Sequence, residues 1–270
     1  MLALSWVAAF VACVGYGVGS VLQSVGANRT GEVTGIGGVG RILRQLPYLA
    51  GLGLDGIGFL GNVVALQRLP LFLVQSVLVG SVGVTALVAA LRGQRLDRRD
   101  WGSLAALAAG LVLLCITADP APAAPLLPTG QWVLLVATVV PVAVALLGLR
   151  LQGKPAAVVL AAAAGLAWTG VALASRAFSA ETLSWAALAH PLVWTVVVQG
   201  VLGTVFFALA LQRGDVTTVT AVTFMLELLV PSLLGVVLFG DGVLPGQLPV
   251  AALGFVLAVA GTVSLVRFAE

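Results

Sequence analysis

Nine stretches of mainly apolar residues, each about twenty long as a membrane crossing requires, leave this chain few ways to fold. In hydrocarbon every backbone N–H and C=O must find its partner within the protein, so a run of this length crosses as an α-helix. The runs are 3–23, 47–67, 70–91, 101–117, 131–149, 156–174, 190–212, 216–239 and 248–267. Of the 270 residues, 60% are hydrophobic and 9% charged, against about 25% charged in a soluble domain. The expectation is an all-α integral membrane protein with nine transmembrane helices. A secreted disulfide scaffold, a nucleic-acid module and an ordinary soluble enzyme are excluded by the same composition. The first run has no Lys or Arg before it and is too long for the apolar part of a signal peptide, so it is expected to stay as a helix. Cys13 and Cys115 lie in separate apolar runs and carry no metal-ligand spacing.

The basic residues set the expected orientation, because Lys and Arg concentrate in cytoplasmic loops. With the N-terminus outside, the inner loops hold Arg29, Arg41, Arg44, Arg92, Arg95, Arg98, Arg99, Arg150, Lys154, Arg213 and Arg267. The outer side keeps Arg68, Arg176 and an uncharged Pro/Ala-rich stretch within 118–130. A miscounted central span would scramble this segregation, so it argues for both the count and an N-out, C-in topology. The charged run 92–100 is then a topology determinant that touches anionic headgroups, not a nucleic-acid patch.

An internal repeat is expected as well. Ala65-Leu66-Gln67-Arg68 recurs as Ala210-Leu211-Gln212-Arg213, each copy closing one helix just before the next. After each copy come an apolar helix, a Gly-led polar loop (93–100 and 240–247) and a helix containing Ala109-Gly110 or Ala260-Gly261. The two links face opposite sides of the membrane in this topology, the mark of inverted repeats. The expected organisation is a four-helix repeat in 1–117, an extracytoplasmic linker in 118–130 and a five-helix repeat in 131–270.

Gly40-Arg41-Ile42-Leu43-Arg44, Leu54-Asp55-Gly56, Ala65-Leu66 with Leu69-Pro70-Leu71, Val74-Gln75 and the run from Gly93 through Asp97 to Trp101 leading into Ala109-Gly110 carry a resemblance. In this order of elements the chain resembles the drug/metabolite transporter superfamily, and within it the branch that includes EamA-like exporters and NIPA-type magnesium transporters. That family is usually built of two five-helix repeats; here the first half lacks one helix. Where the family often has Gly-Glu-Arg-Leu, this chain reads Gly240-Asp241-Gly242-Val243.

Apart from Arg267, which closes the last run, two residues inside the nine runs carry charge, Asp55 and Glu227, each close to the middle of its run. A carboxylate at the centre of a membrane helix costs about 2.5–3.5 kcal/mol on insertion scales, so it faces a cavity or a partner. Helix periodicity puts Gly51, Gly58 and Asn62 on the Asp55 face, and Thr220, Thr223, Phe224 and Pro231 on the Glu227 face. Pro231 removes the hydrogen bond that would reach the Glu227 carbonyl, and is expected to kink the helix there. Tyr16, Gln75 and Gln199 are further pocket candidates, with Ser20, Gln23 and Ser76 behind them. All of these side chains also serve as interhelical glue worth about 0.6 kcal/mol on average, and that alternative stays open. Trp6, Trp132 and Trp185 read as interfacial anchors, Trp168 and Trp194 as packing residues. Single His190, before Pro191, reads as an interfacial polar residue.

The Gly-rich stretch 35–40 lacks the Lys and strand of a Walker loop, which argues against an ATP-driven pump. No His/Cys metal cluster and no protease signature is present in the sequence, so no enzyme activity and no cofactor are expected. The resemblance and the two acids together imply a secondary transporter alternating access to a midplane cavity, with Asp55 and Glu227 taking a proton or a cationic substrate and Asn62, Gln199, Tyr16 and Gln75 shaping the pocket. A magnesium pathway through Asp55 and Glu227 is the alternative within transport, since magnesium needs only one or two carboxylates. A non-transporting subunit or a lipid-linked sugar flippase is the alternative outside it. Partners are then a small molecule or cation, the bilayer, and a second copy or another membrane protein, with no nucleic acid. One Lys beside 12 Arg, with Ala, Gly and Val abundant, is expected of a bacterial inner-membrane protein.

Overall fold

The computed structural model describes residues 2–28, 45–93, 96–178, 189–214 and 216–265. The glycine-rich stretch 35–40, the motif at 40–44, Trp185, Arg29, Arg95 and Arg267 lie outside the described residues. Eleven helices run in chain order among the described residues: α1 (Leu2–Asn28), α2 (Leu46–Leu66), α3 (Leu71–Val79), α4 (Ser81–Leu91), α5 (Arg98–Thr117), α6 (Pro128–Val136), α7 (Val139–Arg150), α8 (Gly153–Arg176), α9 (Pro191–Leu211), α10 (Val216–Phe239) and α11 (Leu248–Leu265). Helices α3 and α4 form one span broken at Gly80, where Gly83 N–H bonds three residues back to the Gly80 carbonyl at 2.9 Å. Helices α6 and α7 form another, broken at Ala137 and Thr138. Nine segments are therefore long and apolar enough to cross a membrane among the described residues, and the chain is an all-α multi-pass membrane protein.

Local chemistry explains the helix starts. Pro47, Pro128 and Pro191 open their helices, where a missing N–H costs little and the fixed φ is already helical. Asp97 caps α5 in a reciprocal box with Asp100: Asp100 N–H donates to Asp97 Oδ1 at 3.0 Å and Asp97 N–H to Asp100 Oδ2 at 2.9 Å. The fourth span thereby begins at Arg98, a few residues before the apolar run at 101. His190 caps α9, its Nδ1 accepting from Leu192 N–H at 3.4 Å.

Packing follows small residues, because lipid offers no hydrophobic drive for helices to associate and close approach must supply the contact energy. Helix α1 lies along α2, and α5 along α11. A Cβ built on Gly61 would stand 2.8 Å from the Ala8 carbonyl oxygen, and one on Gly261 would stand 2.7 Å from that of Ser103. Gly61, Gly80 and Gly83 each touch a neighbour, whereas Gly53 and Gly56, on the same helix as Gly61, have open space around them. The span formed by α3 and α4 and the α8 span are the most enclosed of the nine. Helix α3 contacts α1, α2, α5, α8, α10 and α11, and every residue from Leu71 to Val77 is buried. Leu60, Val112, Val136, Val237 and Val256 are exposed on the outer surface, as lipid-facing side chains must be.

At one end, the two-residue strands β1 (Ala118–Asp119) and β2 (Gly242–Val243) pair antiparallel. Leu244 N–H donates to the Thr117 carbonyl at 2.8 Å and Ala124 N–H to that of Phe239 at 3.2 Å. Gly240 adopts φ +69° just past α10, a left-handed conformation that favours glycine. It turns the following residue, Asp241, back into the protein. The α2–α3 link, the 118–127 segment and the 240–247 loop share this end, called the strand end below.

Gly110 packs against backbone that cannot give way, with a Cβ there 2.6 Å from the Gly254 carbonyl oxygen. Gly110→Val should destabilise the purified protein by about 1–3 kcal/mol, seen as a lower melting temperature in detergent. Gly56→Ala, in open space, should leave it unchanged.

Candidate functional site

Asp55 sits in the middle of α2 and faces α1. Its carboxylate lies over Gly19, and Gln23 Nε2 donates to Asp55 Oδ2 at 2.5 Å. The lack of a side chain at Gly19 is what makes room for the acid. One helical turn along α2, Gly58 lies against the Tyr16 ring, a Cβ there falling 3.2 Å from Tyr16 Cε2. The Tyr16 phenol is within electrostatic reach of both Asp55 and Glu227. Both acids and the phenol are partly buried. The structure thus brings Asp55, Gln23 and Tyr16 together where α1 meets α2.

Glu227 lies at the middle of α10, which continues through Pro231 as a single helix. Proline has no N–H, so the Glu227 carbonyl has no donor four residues on, while the Ser232 hydroxyl turns back to the Leu228 carbonyl. The Thr223 hydroxyl donates to the Ala161 carbonyl at 3.2 Å, and the Thr169 hydroxyl reaches the Leu226 carbonyl at 3.4 Å. Thr223 therefore belongs to the α8–α10 contact. Gln199 is also spent on packing: its Nε2 donates to the Leu134 carbonyl on α6 at 3.2 Å and its amide fills the space over Gly170 on α8. Trp168 packs on Phe207 with ring centroids 5.5 Å apart.

Asn62 and Gln75 are 5% and 2% exposed, and Asn62 Oδ1 and Gln75 Oε1 meet no hydrogen-bond donor among the described residues. Asn62 is one turn before the end of α2 and Gln75 one turn after the start of α3.

Just beyond them lies a cluster that sequence reasoning missed. Arg176, the last residue of α8, is 2% exposed. Its Nη1 donates to the Leu66 carbonyl at 2.5 Å, and its Nη2 donates to the Ala121 carbonyl at 3.1 Å and to Asp241 Oδ1 at 2.5 Å. Asp241 Oδ2 accepts from Leu71 N–H at 2.6 Å. One ion pair thus ties the ends of α2 and α8, the start of α3, the linker and the loop after α10. Burial pushes the Asp241 carboxyl up from its ordinary range, while the Arg176 charge and the Leu71 N–H pull it down. Two signals pointed here: Arg176 was one of two cations on the sparsely charged side, and Asp241 sits where the chain departs from the resembled family's Gly-Glu-Arg-Leu.

A separate cleft of about 580 Å³ lies at the opposite end, lined by Asp97, Arg99, Asp100 and Ser103 of the α5 start and Ser264 of α11. Its two acids form the cap of α5. Among the described residues, no three His, Cys, Asp or Glu side chains are grouped to hold a metal ion. No family model, curated protein or solved structure matches the chain.

Removing one member of a buried ion pair strands the other and costs about 3–5 kcal/mol, whereas replacing both with apolar groups costs far less. Arg176→Met should therefore lower the melting temperature sharply, and Arg176→Met with Asp241→Leu should recover part of the loss. Equal losses in the single and double variants would show that the two side chains do not act as a pair.

Proposed function

We propose that this chain is a secondary transporter that moves a small metabolite or cation by alternating access, with Glu227 and Asp55 as its charge-binding groups. The observation that carries the reading is the pair of mid-membrane acids, both within electrostatic reach of the Tyr16 phenol, since carboxylates are kept at that depth for a cargo, a proton or a partner. Asp55 has a neutral partner in Gln23, and among the described residues Glu227 forms no salt bridge. The packing supports two inverted halves. Helix α1 pairs with α2 as α8 pairs with α9; α3 meets α10 at the centre; and α5 meets α11, the last helix of each half. On this pattern the extra helix of the second half is the α6–α7 span. Transport sites lie at such a repeat interface near the midplane.

Orientation with the strand end outside also gains support. The Arg176 exception is accounted for by its ion pair, and Arg92, Arg98, Arg99, Arg150, Lys154 and Arg213 all fall at the opposite end of their helices. The order of elements favours a place in the drug/metabolite transporter superfamily, in a bacterial inner membrane. Magnesium is the weaker reading, because one of its two carboxylates is engaged by Gln23. A scaffold subunit would tolerate loss of both acids.

Proteoliposomes with a pH-sensitive dye inside, challenged with small amines, amino acids and magnesium under an imposed pH gradient, test the proposal. Wild type should show cargo-dependent proton movement. Glu227→Gln should elute and insert as wild type yet lose at least about tenfold in rate, a loss equal to one charge-assisted contact. Full activity in Glu227→Gln would remove the central claim.

A further inference from the structure

Five buried side-chain atoms meet no hydrogen-bond partner among the described residues. Ser175 Oγ and Arg176 Nε belong to the ion-pair cluster, and Thr138 Oγ1 lies at the break between α6 and α7. The other two, Asn62 Oδ1 and Gln75 Oε1, are both acceptors, and the helix register puts them at one depth. Leu66 and Leu71 are bound to the same Arg176–Asp241 pair. Asn62 is four residues before Leu66 and Gln75 four after Leu71, so each lies about 6 Å inside that pair, on the same face of its helix as the anchored residue.

Helix α10 supplies a third oxygen at this level. A Cβ on Gly235 would stand 3.0 Å from Leu71 Cβ, and α10 ends where α3 begins, so the two run antiparallel. One turn down each helix sets Pro231 level with Gln75. The Glu227 carbonyl, which Pro231 deprives of its donor, points along α10 toward that level, and the Glu227 carboxyl lies below it. Two side-chain oxygens without donors and a carbonyl that Pro231 leaves without its usual i+4 donor thus stand above one acid.

We propose that Asn62, Gln75 and the Glu227 carbonyl form a subsite for the ammonium group of a primary amine, held between the Arg176–Asp241 pair and the Glu227 carboxylate. A primary ammonium has three N–H donors and no acceptor, matching three acceptor oxygens in number, and its charge is offset by the acid below. A quaternary ammonium carries the same charge and no N–H. The proposal rests on the transport reading for its biological sense and on the unpartnered oxygens for its chemistry.

The test uses the purified full chain in detergent, with melting temperature followed against ethylammonium, tetramethylammonium and sodium chlorides at equal ionic strength. Ethylammonium should stabilise wild type saturably, and the other two salts should not. Asn62→Leu and Gln75→Met remove one acceptor each with little change in volume. Both should bind ethylammonium at least about tenfold more weakly than wild type. Stabilisation by sodium alone would make this an inorganic ion site and overturn the proposal, as would equal ethylammonium binding in the two variants or no stabilisation of wild type. Ethylammonium flux into proteoliposomes separates the two claims: acceptor-dependent binding without flux keeps the subsite and removes transport, and flux that both variants retain at the wild-type rate and affinity keeps transport and removes the subsite.

Discussion

The Arg176 guanidinium is the interaction on which the strand end of the molecule depends. A helix that ends near hydrocarbon leaves carbonyls unpaired, and a chain with nine membrane-length segments among its described residues must hold its links together. Arg176 serves the Leu66 and Ala121 carbonyls and the Asp241 carboxylate at once, and Asp241 in turn holds Leu71 N–H. Five segments, drawn from residues 66 to 241, are fixed relative to one another by a single pair of side chains. The short β1–β2 pairing and the left-handed turn at Gly240 deliver Asp241 to it.

From that end inward, side chains change character turn by turn. The ion pair comes first, then Asn62 and Gln75, then Glu227, then Tyr16 with Asp55 and Gln23. Around this polar column the helices are held by backbone approach at glycines, as between α1 and α2 or α5 and α11. Contacts of that kind are made of many small dispersion terms with no long side chains interlocked. They give α1 and α2 a smooth face beside the column, suited to the sliding that the proposed alternating access requires. Helix α3 is buried along its first seven residues and contacts helices from both the N- and C-terminal parts of the chain.

The candidate site was legible in part. Asp55 and Glu227 stood out because charge in an apolar run is rare and costly, and Tyr16 because it shares a helix face with polar neighbours. Gln199 had the same signature, yet it serves the α6–α8–α9 contact. Polarity within a span shows that a partner exists and does not say which partner. Thr223 and the glycines at 53 and 56 make the same point, since a helix face in the sequence has no label for what it meets.

The sequence alone determined the number of spans, their limits to within a few residues and the rarity of charge inside them, because the bilayer imposes one length and one rule about backbone hydrogen bonds on every crossing. It also set the caps, through Asp97 with Asp100 and the prolines at helix starts. Only the tertiary structure decided which helices are neighbours: that Arg176 meets Asp241, that Gln23 rather than Glu227 holds Asp55, and that Asn62 and Gln75 share a depth. Those pairings rest on contacts between residues tens to hundreds of positions apart, and in lipid, where every helix presents an apolar surface, no periodicity along the chain distinguishes one neighbour from another.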